Sequence, residues 1–463
     1  MKIIKKENSE ILKVIKMFIK KHRRIFLCLV FGFCTIGILS MTSPLYSYNP
    51  WADANIYLTT TRQMLRGKML YRDVFDHKGP YLYLIHIPAV MISQWSFTGV
   101  YVIESLSASA FAWISLKTVH AETKKKALLA LIGCFAVYGT VAFAHSDSAE
   151  EYCLPLLMAS FYALETENYF LAGVMAGCVF WTKMTMCSYY IGWYIVMLVQ
   201  YGMNAVRKTP KIIAGLAISS APAIAMFALQ PKVLWDGYFA SNILYGLSGV
   251  AARHFSLPVR LYGILSDFCE IIFPFLMTLN VIVADRKRRF SVLVTWLFLL
   301  IPILYVNPYM GQYYYLAATF YAPLWAGIKT EKGARHIIEA SVVVFALVTG
   351  NVSSMGKPVA QMKFVRIMKK DSGRVLEYGM QDYGFYTLMH QNPSDRYFFT
   401  PNMKKSDIEK AQQKALKSRK YKYVVTEENI GTPYKKIATA ELDHKGIGEY
   451  FYLYKLEKQQ KEK

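Results

Sequence analysis

The chain has 463 residues, 54% of them hydrophobic and only 18% charged, and its 54 Lys and Arg against 31 Asp and Glu give a formal net charge of +23. That composition excludes an ordinary soluble domain. The basic residues fall in short runs between apolar stretches, where membrane topology and anionic lipid headgroups account for them, so no nucleic-acid partner is expected.

Residues 1–24 form a basic cytoplasmic or interfacial segment. Within it "EILKVIKMFIKKHRR" places Ile11, Ile15, Phe18 and Ile19 near one helical face among lysines, which fits an interfacial amphipathic helix as well as a solvated basic tail. The first apolar run, "IFLCLVFGFCTIGILSM" (25–41), approaches the roughly 20 residues a bilayer crossing needs. No small-residue cleavage site follows it, so it reads as an uncleaved first span. With the basic N-terminus inside, this span delivers a polar first outer loop, 46–98.

The next apolar piece, 79–95, contains His86, Pro80, Pro88 and Gln94 and is short for a span. If it crossed, "KTVHAETKKK" (117–126) and "DRKRR" (285–289) would lie outside, against the positive-inside bias. Placed in the outer interface, it leaves spans at 99–116, 127–144, 153–165, 169–183, 187–203, 211–230, 261–284, 290–306, 313–328 and 337–350. The expected fold is an α-helical polytopic membrane protein with about eleven spans and outer interfacial helices. The transmembrane module covers 25–350, with the N-terminus cytoplasmic and an extracytoplasmic α/β domain at 351–463. In that domain "RVLEYGM" (374–380), "RYFFT" (396–400) and "KYVVTEE" (422–428) read as strands, and 406–419 as a helix opened by Ser406 with Glu409 three residues on. The seven cysteines all lie in or beside apolar segments and show no disulfide or metal spacing.

In this topology the outer face collects the chemistry. The first outer loop carries Asp53, Asp73, Asp76, His77 and Lys78, and the second carries Asp147, Glu150 and Glu151. Lys183 sits at an outer turn, and the loop 231–260 adds Arg253 and His254. A carboxylate at headgroup depth has the chemistry of a general base for an acceptor hydroxyl, and cations beside it that of a cradle for a lipid-linked phosphate. Carboxylates from two loops, Asp53 with Asp147 or Glu150, could also share a divalent Mg or Mn ion. Each candidate has a plainer reading. Asp53 and the acids of 147–151 could cap helices, Asp73 and Asp76 could be solvated, and Lys78 could snorkel to the interface. "QYYYLAATFY" (312–321) reads first as an interfacial aromatic belt.

The aspartate just past span one, the stretch "MLRGKMLYRDVFDHKGPYLYL" (64–84) and the second acidic loop together resemble GT-C integral membrane glycosyltransferases. The resemblance is to bacterial relatives of protein O-mannosyltransferases and lipid A aminoarabinose transferases. It covers roughly 25–350 and is most specific in 49–85. It implies a plasma-membrane enzyme that moves a sugar from a polyprenyl-phosphate donor to a cell-envelope acceptor on the outer face. It further implies Asp53 as the catalytic aspartate, Lys78 as the residue facing the donor phosphate, and one acid of Asp147, Glu150 and Glu151 as the second carboxylate; from the residues alone, Lys183 or Arg253, with His254 beside it, would help hold the phosphate. Asp73, Asp76 and His77 would support the first loop. Two departures stand out: Asp53 is followed by Ala54 where mannosyltransferases have Glu, and span two offers Glu104 where relatives open with Arg. The competing expectations are a flippase for lipid-linked sugars and an envelope polysaccharide ligase or polymerase.

Overall fold

The computed structural model describes residues 22–248, 256–305, 312–329, 332–403, 406–442 and 449–457. The amphipathic stretch 10–21 and the candidates Arg253 and His254 lie outside the described residues.

The first described helix, α1, is Arg23–Leu39, and α2, Ala52–Leu65, carries Asp53 in its first turn. The negative charge there complements the helix macrodipole. Pro80 opens α3, Pro80–Ile92, where its missing N–H costs nothing. At 13 residues this helix is about 20 Å long by helical rise, well short of the hydrocarbon thickness. α4, Thr98–Thr118, leads to α5, Lys124–Tyr138, capped by the Thr123 side chain on the Lys126 N–H. α6, Ala149–Glu165, is capped by Ser148 on the Glu151 N–H at 3.1 Å, with Glu150 and Glu151 in its first turn. α7, Tyr169–Thr182, and α8, Ser188–Tyr201, follow as a hairpin with Lys183 just past its first arm.

α9, Met203–Met226, runs through Pro210 and Pro222. A further helical stretch covers 231–248. α10, Leu257–Glu270, and α11, Ile272–Ala284, meet at an 87° bend. α12 is Arg289–Tyr305 and α13 is Lys332–Thr349. By length and composition, the described residues hold three helices able to cross a membrane, or four if the bent pair is one span. The eleven expected spans are therefore a proposal that rests on charge and on the shorter apolar helices. Span ten departs from expectation: 312–327 forms two 3-10 segments, Gln312–Thr319 and Ala322–Gly327, packed inside the helices rather than one α-helix. Pro323 at the start of the second segment has no N–H to continue a helical ladder.

The C-terminal part holds α14, Gln361–Lys369, and α15, Ser406–Lys417, with β1, Val375–Glu377; β2, Tyr423–Thr426; β3, Tyr434–Leu442; and β4, Glu449–Leu456. The sheet order is β1-β2-β4-β3, with β1 parallel to β2 and the other pairs antiparallel. The expected strands at 374–380 and 422–428 and the helix at 406–419 form. Residues 396–400 form no strand, and instead Phe398 and Phe399 pack into the core. Two strands that sequence reading omitted, β3 and β4, supply the antiparallel half.

Two main cores divide the molecule. One lies among α1, α4, α5, α6, α8, α11, α12 and the 3-10 segments. The other joins the first loop (Tyr57, Tyr71, Tyr83) to Trp181 and Tyr238 and to Phe364, Phe385 and Phe451 of the C-terminal part. The sheet domain is thus packed on the loop that carries Asp53.

Candidate functional site

Asp53 is nearly buried, and its Oδ2 lies 3.2 Å from Lys78 Nζ and accepts the Tyr57 hydroxyl at 3.2 Å. Tyr57 stands one helical turn after Asp53, so both side chains share a face of α2. Lys78 arrives through the tight "HKGP" turn. A Cβ at Gly79 would collide with the Trp181 carbonyl, so only glycine lets this turn close on the end of α7. That approach brings Lys78 and Lys183 to the same place.

Lys183 Nζ lies 2.9 Å from Glu150 Oε1 and 4.6 Å from the ring centre of Tyr314. Both side chains of this pair are buried, and Glu150 Oε2 has no hydrogen-bond partner among the described residues. The Tyr57 hydroxyl is within electrostatic reach of Asp53, Asp76, Glu150 and Tyr313, which ties the two ion pairs into one site. The site is a row of alternating buried carboxylates and ammonium groups.

Asp76 supports the row. Its Oδ2 accepts the Tyr83 hydroxyl at 2.5 Å and its Oδ1 accepts the His77 N–H at 2.7 Å. Burial opposes its charge, but Lys78, His77 and Tyr83 more than offset that and hold its carboxyl well below the usual range. Burial likewise opposes the Lys78 charge, while Asp53 and Asp76 override it and keep the ammonium above its usual range. Burial and the Lys78 charge push His77 down, toward the neutral imidazole. Its ring stacks on Tyr245 at 4.8 Å, and Tyr245 in turn meets the Tyr314 hydroxyl at 3.2 Å.

The three acids of the second loop separate by geometry. Glu150 faces Lys183. Asp147 is fully buried, and its Oδ1 meets His86 Nε2 at 2.9 Å and the Tyr152 hydroxyl at 2.6 Å. Ser146 and Asp147 both adopt left-handed backbone (φ 59° and 60°), and the Asp147 N–H donates to Glu104 Oε1 at 2.7 Å and Glu151 Oε2 at 3.2 Å. Glu104 also accepts Ser40 and Thr42 hydroxyls. Asp147, Glu104 and Glu151 thus form a buried bracket that fixes the loop, and Tyr57 links it to the row through its ring contact with His86 at 5.6 Å. Asp73 stands apart, paired with exposed Arg72 at 2.7 Å, which holds its carboxyl down at about 2.

Among the described residues no three of His, Cys, Asp and Glu are gathered to hold a metal ion. Asp53 and Glu150 each face an ammonium group instead, a donor set that does not fit a divalent cation. Sequence reading gave Tyr57, His86 and Tyr245 no role in the site and took Tyr314 first as part of an aromatic belt. The signals for the first two were a tyrosine four residues after the aspartate and a histidine in an otherwise apolar helix. Tyr245 and Tyr314 reach the site from far along the chain.

No protein-family model matches the chain, and no curated protein matches it. Among solved structures it is similar to ArnT from Cupriavidus metallidurans, crystallised with undecaprenyl phosphate. The TM-score is 0.61 at 9% identity, covering 93% of this chain and 97% of that one. The chain shares the fold of that structure.

Proposed function

With that fold as premise, we propose that the protein moves one sugar, with inversion, from a polyprenyl-phosphate donor to a cell-envelope acceptor at the outer face of the plasma membrane. The observation that carries this reading is the row Asp53–Lys78 and Glu150–Lys183, two buried ion pairs at 3.2 and 2.9 Å brought together by the Gly79 turn. Burying charges is costly unless they are paired or used, and sites that perturb them are candidates for chemistry.

Donor phosphate enters between Lys78 and Lys183. Sharing Lys78 with the phosphate loosens its hold on Asp53 Oδ2. Asp53 then takes the proton from the acceptor hydroxyl as that oxygen bonds to the anomeric carbon. The bond from the anomeric carbon to the phosphate oxygen breaks, and the electron pair leaves on the polyprenyl phosphate, whose charge the two ammonium groups stabilise. Glu150 positions Lys183, and Asp76 positions Lys78. Because the donor arrives in the lipid, no nucleotide-binding element is required.

The test uses purified protein in vesicles with radiolabelled polyprenyl-phosphate sugar and an envelope extract. Label moved to acceptor with release of free polyprenyl phosphate supports transfer. Intact donor carried across the vesicle supports a flippase and contradicts the proposal.

A further inference from the structure

Beside the row of charges, three rings from distant parts of the chain meet. Trp51 stacks on His145 at 5.3 Å with their planes 27° apart, and Tyr313 meets Trp51 edge-on at 5.2 Å and His145 at 6.0 Å. All three are partly exposed, whereas Asp53, Lys78, Glu150 and Lys183 behind them are buried. Trp51 is two residues before Asp53, and Tyr313 lies 5.9 Å from Lys183 Nζ and within electrostatic reach of Asp53 and Glu150. The turn that presents Trp51 is stapled: the Trp51 N–H donates to Asn49 Oδ1 at 3.0 Å, and Asn49 Nδ2 donates to the His145 carbonyl at 3.4 Å.

Interfacial belts display single aromatic side chains toward lipid headgroups. Here the rings pack on one another and flank buried charges. An aromatic face with a polar rim suits a ring that is apolar on one face and rich in hydroxyls at its edge, which is the chemistry of a saccharide. We propose that Trp51 and Tyr313 form a saccharide-stacking wall that seats a sugar ring of the acceptor. This rests on the glycosyl-transfer reading above, and it narrows the acceptor to a glycan. The acceptor assignment follows from Trp51, two residues before Asp53, which takes the acceptor proton; Tyr313 borders the phosphate side at Lys183.

The experiment is saturation-transfer difference NMR on the full chain in nanodiscs, with methyl glucoside, methyl galactoside and methyl N-acetylglucosaminide as probes. At least one probe should show ring C–H saturation well above empty nanodiscs, reduced several-fold by Trp51→Ala and retained in Trp51→Phe and in Asp73→Asn, which stands apart from the site. The signal should survive loading of the nanodiscs with polyprenyl-phosphate sugar. No signal from folded wild type, or equal signals in wild type and Trp51→Ala, overturns the wall. Loss of signal on donor loading overturns the acceptor assignment. Failure of the transfer reading shows differently, as absent polyprenyl-phosphate release with saccharide binding intact.

Discussion

Asp53 has two partners on one oxygen, the Lys78 ammonium and the Tyr57 hydroxyl, each at 3.2 Å. Asp53→Asn keeps the shape and removes the base, so transfer should fall at least ~10²-fold with membrane abundance unchanged. Near-normal transfer would remove Asp53 from the mechanism. Glu150→Gln and Lys183→Met act on one ion pair, so their effects on donor KM should be strongly non-additive in a double-mutant cycle. A different residue-scale prediction concerns Glu377, fully buried in the sheet domain and accepting the Tyr383 and Phe385 N–H groups at 3.1 and 2.9 Å. Burial and neighbouring Asp382 push its carboxyl well above the usual range. The folded state therefore binds this proton more tightly than the unfolded chain, and stability falls as pH rises from the unfolded value of about 4.3 through the folded one. Melting temperature should decline between pH 5 and pH 8, and Glu377→Gln should flatten that decline. An unchanged slope would contradict the assignment.

Among the elements, the "HKGP" turn and α2 decide whether the charges meet. Gly79→Ala would drive the turn off the Trp181 carbonyl and separate Lys78 from Lys183. Transfer should fall by roughly 10–100-fold with helix content by circular dichroism unchanged, since small misplacements of this kind are costly. The place of Asp53 just past an apolar span and the glycine-proline turn were legible in the sequence, because both are local signals; the helix Ala52–Leu65 that carries Asp53 was not. The short length of α3 was also legible, from its prolines and from the charge of later loops. The 3-10 segments at 312–327 were not: an apolar run of that length reads as a helix, and only packing against α5 and α11 reveals otherwise. Likewise the choice among Asp147, Glu150 and Glu151 depends on where Lys183 and His86 arrive in space.

Across the whole molecule, the sheet domain is tied to the loop that bears the site. Arg62, on the same helix as Asp53, is buried and donates to Asn392 at 3.0 Å, to the Gln94 carbonyl at 2.9 Å and to Thr387 at 3.2 Å, with its guanidinium 4.2 Å from the Trp95 ring centre. Arg396 returns the contact by donating to the Tyr71 carbonyl at 2.7 Å. Arg62→Ala leaves buried acceptors unpaired and should cost about 1–3 kcal/mol, read as a lower melting temperature and faster protease cleavage in 350–360. Sequence reading separated this domain from the membrane module, because composition changes there, and gave no sign that both share a core. The account as a whole depends on a phosphate headgroup lying between Lys78 and Lys183. Photo-crosslinking with a polyprenyl phosphate that carries a diazirine beside the phosphate tests this most directly. Adducts should map to peptides containing 74–79 and 181–187 and be lost in the Lys78→Met, Lys183→Met double variant. Adducts confined to the basic loop at 285–289, or unchanged in the double variant, would contradict it.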